Sequence, residues 1–152
     1  MTIEQFQWQP PAVPSPGMVT YSIKATVSDD SGARMLGRGD LQMTIELLSP
    51  QHGVVPMPCM YGVGSCTKTL REYSPGFAQM LSEGQTTILV DDKQICLFDA
   101  ATLGDVYATG QYRITAKFLE EHSHRTLSCH RFETMVVHSP NPCSSIGDKA
   151  QR

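Results

Sequence analysis

The stretch Tyr112-Arg113-Ile114-Thr115-Ala116-Lys117-Phe118 alternates apolar and polar side chains without a break. That is the pattern of a β-strand with one face turned to a core and the other to water. Tyr21-Ser22-Ile23-Lys24-Ala25-Thr26-Val27 and Leu41-Gln42-Met43-Thr44-Ile45-Glu46-Leu47 repeat it. Weaker runs of the same kind lie at 3–8, 54–57, 86–90, 94–98 and 127–137. Polar or Gly/Pro-bearing connectors separate them: Ser28-Asp29-Asp30-Ser31-Gly32, Ser49-Pro50-Gln51-His52-Gly53, and Glu120-Glu121-His122-Ser123-His124. Asp91-Asp92 reads as a hairpin turn between two of the weaker strands. One segment, 67–81, has room for helix, and Pro75-Gly76 interrupts it, so one or two helical turns within a long loop are predicted. Gln9-Pro10-Pro11-Ala12-Val13-Pro14-Ser15-Pro16 is too rich in proline for a central strand and reads as irregular.

Seven or eight short strands at this spacing predict an all-β fold, a two-sheet antiparallel β-sandwich of immunoglobulin-like type with one short helical loop. A chain of 152 residues with 40% hydrophobic content suits one domain with one core. We assign residues 1–152 to that single domain, with the sandwich at 3–138 and a flexible polar tail at 139–152.

The charge balance narrows the function. A net charge of −3, with no cluster of Lys or Arg, offers nothing to a phosphate backbone, so nucleic acid is not an expected partner. No apolar run approaches the ~20 residues a membrane-spanning helix requires. The opening Met1-Thr2-Ile3-Glu4-Gln5-Phe6 lacks the basic and apolar regions of a secretory signal. That leaves either a lumen reached through a leader outside this stretch, or the cytosol.

Five cysteines allow at most two disulfides. Cys59 and Cys66 bracket Gly62 and Gly64, and read as a small disulfide-closed loop whose glycines give the backbone freedom. The pairing of Cys96, Cys129 and Cys143 stays open. His122, His124, Cys129 and His130 fall in or just after a polar turn, where histidines are commonly solvated rather than metal-bound. Ser65 lacks the flanking pattern of a nucleophile elbow, and no acid partner for Asp91-Asp92 lies nearby in sequence. No catalytic residue, metal site or cofactor is expected.

The inward positions are Tyr21, Ile23, Met43, Ile45, Leu47, Tyr112, Ile114 and Phe118. Alternation does not distinguish a filled interior from a hollow one, and a packed interior is the default. The presumed loops at 54–63 and 73–81 are unusually apolar, with Val55, Met57, Met60, Tyr61, Phe77, Met80 and Leu81 as candidates for a contact rim. Leu89 and Phe132, from the weaker strands, complete the set. Phe6 and Trp8 read as core anchors of the first strand.

The order of Phe6-Gln7-Trp8, then Pro16-Gly17-Met18-Val19-Thr20, then the Pro58-Cys59 to Gly64-Ser65-Cys66 loop, then Thr109-Gly110-Gln111-Tyr112-Arg113-Ile114, then Cys129, resembles the ganglioside-activator-like branch of the ML lipid-recognition family. The resemblance spans roughly residues 3–137. It implies a sandwich whose sheets splay around an apolar, acyl-chain cavity lined by the residues just named, in a secreted or lysosomal or vesicular carrier. Such a carrier holds a glycolipid or phospholipid, touches membranes transiently, can present its lipid to a hydrolase, and performs no covalent chemistry. Several features depart from the family, among them a shorter segment between the first two strands and Cys143, which has no family counterpart. Gln9-Pro10-Pro11 follows Trp8 where a cysteine is usual, only Cys96 stands in the middle block, and Met18 replaces the asparagine of a glycosylation site. A compact β-sandwich that binds another protein through its loops, with no lipid cargo, is the competing expectation.

Overall fold

In the computed structural model, which describes residues 1–60, 62–97, 99–107, 109–139 and Cys143, the alternating segments are strands of two facing sheets. In chain order the first half comprises β1 (Thr2–Gln9), β2 (Ala12–Ser15), β3 (Gly17–Thr26), helix α1 (Asp30–Arg38), β4 (Asp40–Ser49) and β5 (Gly53–Pro56). Then come the short strands β6 (Cys59–Met60), β7 (Val63–Gly64) and β8 (Thr67–Thr69), and the helices α2 (Leu70–Tyr73) and α3 (Pro75–Ser82). The chain closes with β9 (Thr87–Leu97), 3-10 turns at Ala100–Leu103 and Asp105–Tyr107, β10 (Gly110–Leu119) and β11 (Thr126–His138). One sheet has the order β1-β3-β9. The other runs β2-β11-β10-β4-β5, with β8 also on β4. The fold is an all-β sandwich.

The three strongly alternating stretches occupy the middle of these sheets. In β10, Tyr112, Ile114, Ala116 and Phe118 stand opposite Leu47, Ile45, Met43 and Leu41 of β4, so that two apolar rows form one continuous wall. On the outer face Arg113 Nε meets Glu46 Oε1 at 3.1 Å, an opposite-charge cross-strand pair that keeps that face polar.

Four expectations are corrected. Ser28-Asp29-Asp30-Ser31-Gly32 is not a plain turn: Asp29 is the N-cap of α1, and its carboxylate accepts from Gly32 N at 2.6 Å. Ala33, Leu36 and Gly37 then recur at helical spacing on the buried face. Gly37 lets α1 and α3 touch, since a Cβ there would lie 2.6 Å from Ser82 N. Among the described residues there are thus three α-helices, and Pro75 starts α3 at its first turn, where a missing N–H costs nothing, instead of interrupting a helix. Asp91-Asp92 is no hairpin turn either. It lies inside the single long strand β9, where the register against β3 shifts between Tyr21 and Ile23. Such a bulge absorbs two polar residues without ending the strand, and Asp91 accepts from Ser22 Oγ at 3.2 Å. Finally, the proline-rich segment contains β2, which pairs in parallel with the end of β11 at the sheet edge, where a residue without an N–H is tolerated.

A cluster of buried side chains closes the interior at each end. Below the helices, Ala25, Leu70, Phe77, Ala78, Leu81 and Ile88 pack into one buried cluster with Phe118. At the other end Leu47, Met57, Ala100, Tyr107 and Tyr112 form a second. Tyr112 Oη donates to Tyr107 O and Tyr107 Oη to Pro56 O, both at 2.6 Å, which locks the second end. Burial, with Tyr107 beside it, pushes the Tyr112 phenol up to about 12. The predicted tail falls largely outside the described residues, but Ser139 N donates to Ser15 O at 3.2 Å and Cys143 is bonded to Cys96.

Candidate functional site

Between the two packed ends, the inward residues of both sheets are only half-buried. In β3, Val19 and Ala25 are fully covered at 0% exposure, whereas Tyr21 and Ile23 between them are not. Met43, Ile45 and Ile114 on the opposite sheet share this partial exposure. Inward side chains with free surface mean vacant space, and here it is an apolar cavity of about 250 Å³. Met43, Ile114 and Phe118 form its floor, with Tyr21 and Ile23 above and Phe77 at the helical end.

One side of the cavity is closed by aromatic rings from β1 and β11. Phe6 lies 5.0 Å from Phe132 and 4.7 Å edge-on to Trp8, which is 5.9 Å from Phe132. Edge-to-face contacts of this kind add ~0.5–1.5 kcal/mol each beyond the area they bury. The other side opens. Tyr21, Tyr73, Ser74, Phe77 and Ile95 line both the cavity and an outer groove of about 630 Å³ between α2–α3 and the edge strand β9. Those five residues are the mouth.

The disulfide loop fixes the mouth. Cys59 and Cys66 are bonded, as the spacing predicts, and Gly62 and Gly64 take φ values of 78° and 95°, the left-handed region that favours glycine. The Cys66 carbonyl accepts from Tyr73 Oη and from Met43 N, each at 2.9 Å, so one constrained residue positions both a mouth residue and a wall strand. Burial raises the Tyr73 phenol, with Glu72 adding to the effect, and Lys68 Nζ lies 5.0 Å from the Tyr73 ring centroid. Tyr73 therefore stays neutral at the rim.

A second vacancy of about 120 Å³ lies deeper, lined by Ile45, Met57, Leu97, Tyr112 and Val136 among others. Its polar neighbours are satisfied locally: Ser15 Oγ accepts from Ala100 N at 2.8 Å. At the helical end of β11, His130 turns edge-on to Phe118, with ring centroids 5.9 Å apart. Its Nε2 lies 2.6 Å from Ser128 Oγ, which donates to the Met1 carbonyl at 3.3 Å. Burial lowers the His130 pKa, and the N-terminal ammonium lowers it further. His122 and His124 are exposed in the turn before β11. Among the described residues no three His, Cys, Asp or Glu side chains converge as a metal site.

Of the residues singled out from sequence, Tyr21, Ile23, Met43, Phe77, Ile114, Phe118 and Phe132 line the larger vacancy, and Ile45, Met57 and Tyr112 the smaller. Six stand elsewhere. Leu47 and Leu81 belong to the packed ends, and Val55 packs on the first of these from the edge strand β5. Met60, 40% exposed, sits on the two-residue hairpin β6–β7, which pairs with neither main sheet. Leu89, 60% exposed, borders the outer groove, as does the half-buried Met80. Tyr61 lies outside the described residues. Ile3, Leu41, Leu70, Tyr73, Ile95 and Ala116 are lining residues that sequence reading did not single out, and Phe6 and Trp8, read as core anchors of the first strand, line the cavity as well. Leu41 and Ala116 share the parity of their named neighbours and were readable. Ile3 and Ile95 lie beyond register shifts, where parity breaks.

The two disulfides, Cys59–Cys66 and Cys96–Cys143, belong to an oxidising extracellular or lumenal compartment. Among the described residues no helix is long and apolar enough to cross a membrane. No known family model matches the chain, and no curated protein is significantly similar to it.

Proposed function

We propose that this chain is a lipid carrier: it holds an acyl chain of a glycolipid or phospholipid between its sheets, takes it from a membrane surface, and does no covalent chemistry on it. The reading makes it a distant member of the ML lipid-recognition family, working in a secreted or lysosomal or vesicular lumen, where a lipid hydrolase is a fitting recipient. The observation that supports it is an apolar interior packed at both ends and vacant between, with a mouth at Tyr73, Ser74 and Phe77. Protein interiors are normally close-packed, and a void forfeits dispersion contacts. An engineered apolar cavity of ~150 Å³ stays dry and binds benzene, and the vacancy here is larger, at about 250 Å³. Each methylene that enters from water contributes ~0.8 kcal/mol. A lipid leaving a bilayer starts from an apolar place, so selectivity has to come from the mouth and from cavity length.

Transfer of a pyrene-labelled phospholipid from quenched donor vesicles tests the proposal. Fluorescence recovery that scales with protein concentration is the expected result. Absence of recovery with phospholipid and glycolipid donors alike would leave the chain as a sandwich that binds proteins.

A further inference from the structure

We propose that Trp8 and Ile114 form a chain-length gate inside the cavity, an inference that rests on the carrier reading above. They are the two residues common to the linings of the outer vacancy, about 250 Å³, and the inner one, about 120 Å³. They reach the boundary from opposite sheets, Trp8 from β1 and Ile114 from β10. Neither is a loop residue. Trp8 pairs with Tyr21 across β1–β3 and is clamped by the Phe6 and Phe132 rings. Ile114 sits in register with Ile45 on one side and Phe132 on the other. The boundary therefore stands at a fixed depth from the mouth.

A chain entering past Tyr73 and Phe77 fills the outer vacancy first and meets the indole and the isoleucine next. Up to that depth each added methylene leaves water for an apolar surface and raises affinity about fourfold. A longer chain gains only by displacing side chains that the strands and rings hold, so the gain per carbon falls off. Behind the gate the hydrogen-bonded Tyr112 and Tyr107 close the far end. A chain that passes therefore gains the inner vacancy, roughly half the volume of the outer, and no more.

The test is a titration of saturated fatty acids, from octanoate to stearate, against wild-type protein, Ile114→Ala and Ile114→Phe, with folding checked by circular dichroism. For wild type, affinity rises about fourfold per methylene up to a break and then flattens. Ile114→Ala moves the break to longer chains and Ile114→Phe to shorter ones. Ile114→Val, which removes one methyl, carries the same test with a smaller displacement should the alanine variant not fold. An unbroken rise to stearate in wild type, or a break that no Ile114 variant moves, overturns the gate while leaving the carrier intact. No binding of any fatty acid by folded wild type overturns the carrier reading itself.

Discussion

Replacing Ala116 by leucine asks whether the interior is vacant. Ala116 lines the outer vacancy from β10, with Met43 on one neighbouring strand and His130 on the other. Leucine adds three carbons at a place where about 250 Å³ is free. Moving those carbons from water into an apolar space is worth about 2 kcal/mol. For a chain of this length 1 kcal/mol corresponds to about 2–4 °C in Tm, so the lipid-free variant should melt roughly 4–8 °C higher than wild type. The same three carbons would be taken from the ligand's share of the cavity, lowering fatty-acid affinity roughly fiftyfold. Scanning calorimetry of delipidated protein and a fatty-acid titration read the two effects. In a filled interior, the extra methylenes would instead cost about 1–3 kcal/mol through overpacking. A Tm that falls, with affinity unchanged, refutes the reasoning.

Alkylation of the unreduced protein should modify one of five cysteines, Cys129, which is free and exposed; a second modified thiol speaks against the disulfide pattern. In the chain-entropy view, losing Cys96–Cys143, with 47 residues of separation, costs about 4 kcal/mol, and losing Cys59–Cys66, with 7, about 2.5 kcal/mol. Denaturant melts of the two Cys→Ser pairs should rank accordingly. Gly64→Ala puts a Cβ against the Pro58 carbonyl at φ 95° and should destabilise the loop by about 1–3 kcal/mol, with lipid uptake falling as Tyr73 loses its anchor. His130 has a folded pKa below its ordinary 6.5, so the unfolded chain takes up a proton first and stability falls as pH drops from about 6.5 through the folded value. Tm measured from pH 7 to pH 5 should fall less steeply in His130→Phe; equal slopes would show that His130 carries none of the dependence.

The three strongly alternating stretches were readable because each lies within one strand, with one face on the interior throughout. Legibility fails where the register slips. The shift near Ile3 and the bulge at Asp91-Asp92 break period 2, which hid Ile95 from the lining and split β9 in two. Helix α1 was masked by turn-forming residues that are in fact its cap. Asp29, Asp30, Ser31 and Gly32 open the helix, and the apolar spacing appears only at Ala33, Leu36 and Gly37. The Cys59–Cys66 loop was legible from spacing and glycine content, whereas Cys96–Cys143 joins two distant segments and needed coordinates. Whether an inward row is packed or vacant cannot be read from alternation. Leu47 and Ile45 follow the same pattern in β4, yet one is buried in a packed end and the other faces the inner vacancy.

Native mass spectrometry of the protein, purified without detergent and then incubated with phospholipid and glycolipid vesicles, tests most directly whether the space between the sheets holds a lipid chain. A lipid adduct of one equivalent that disappears on denaturation, and that Ala116→Leu weakens, is the expected spectrum. A spectrum of bare protein under all these conditions would contradict the carrier.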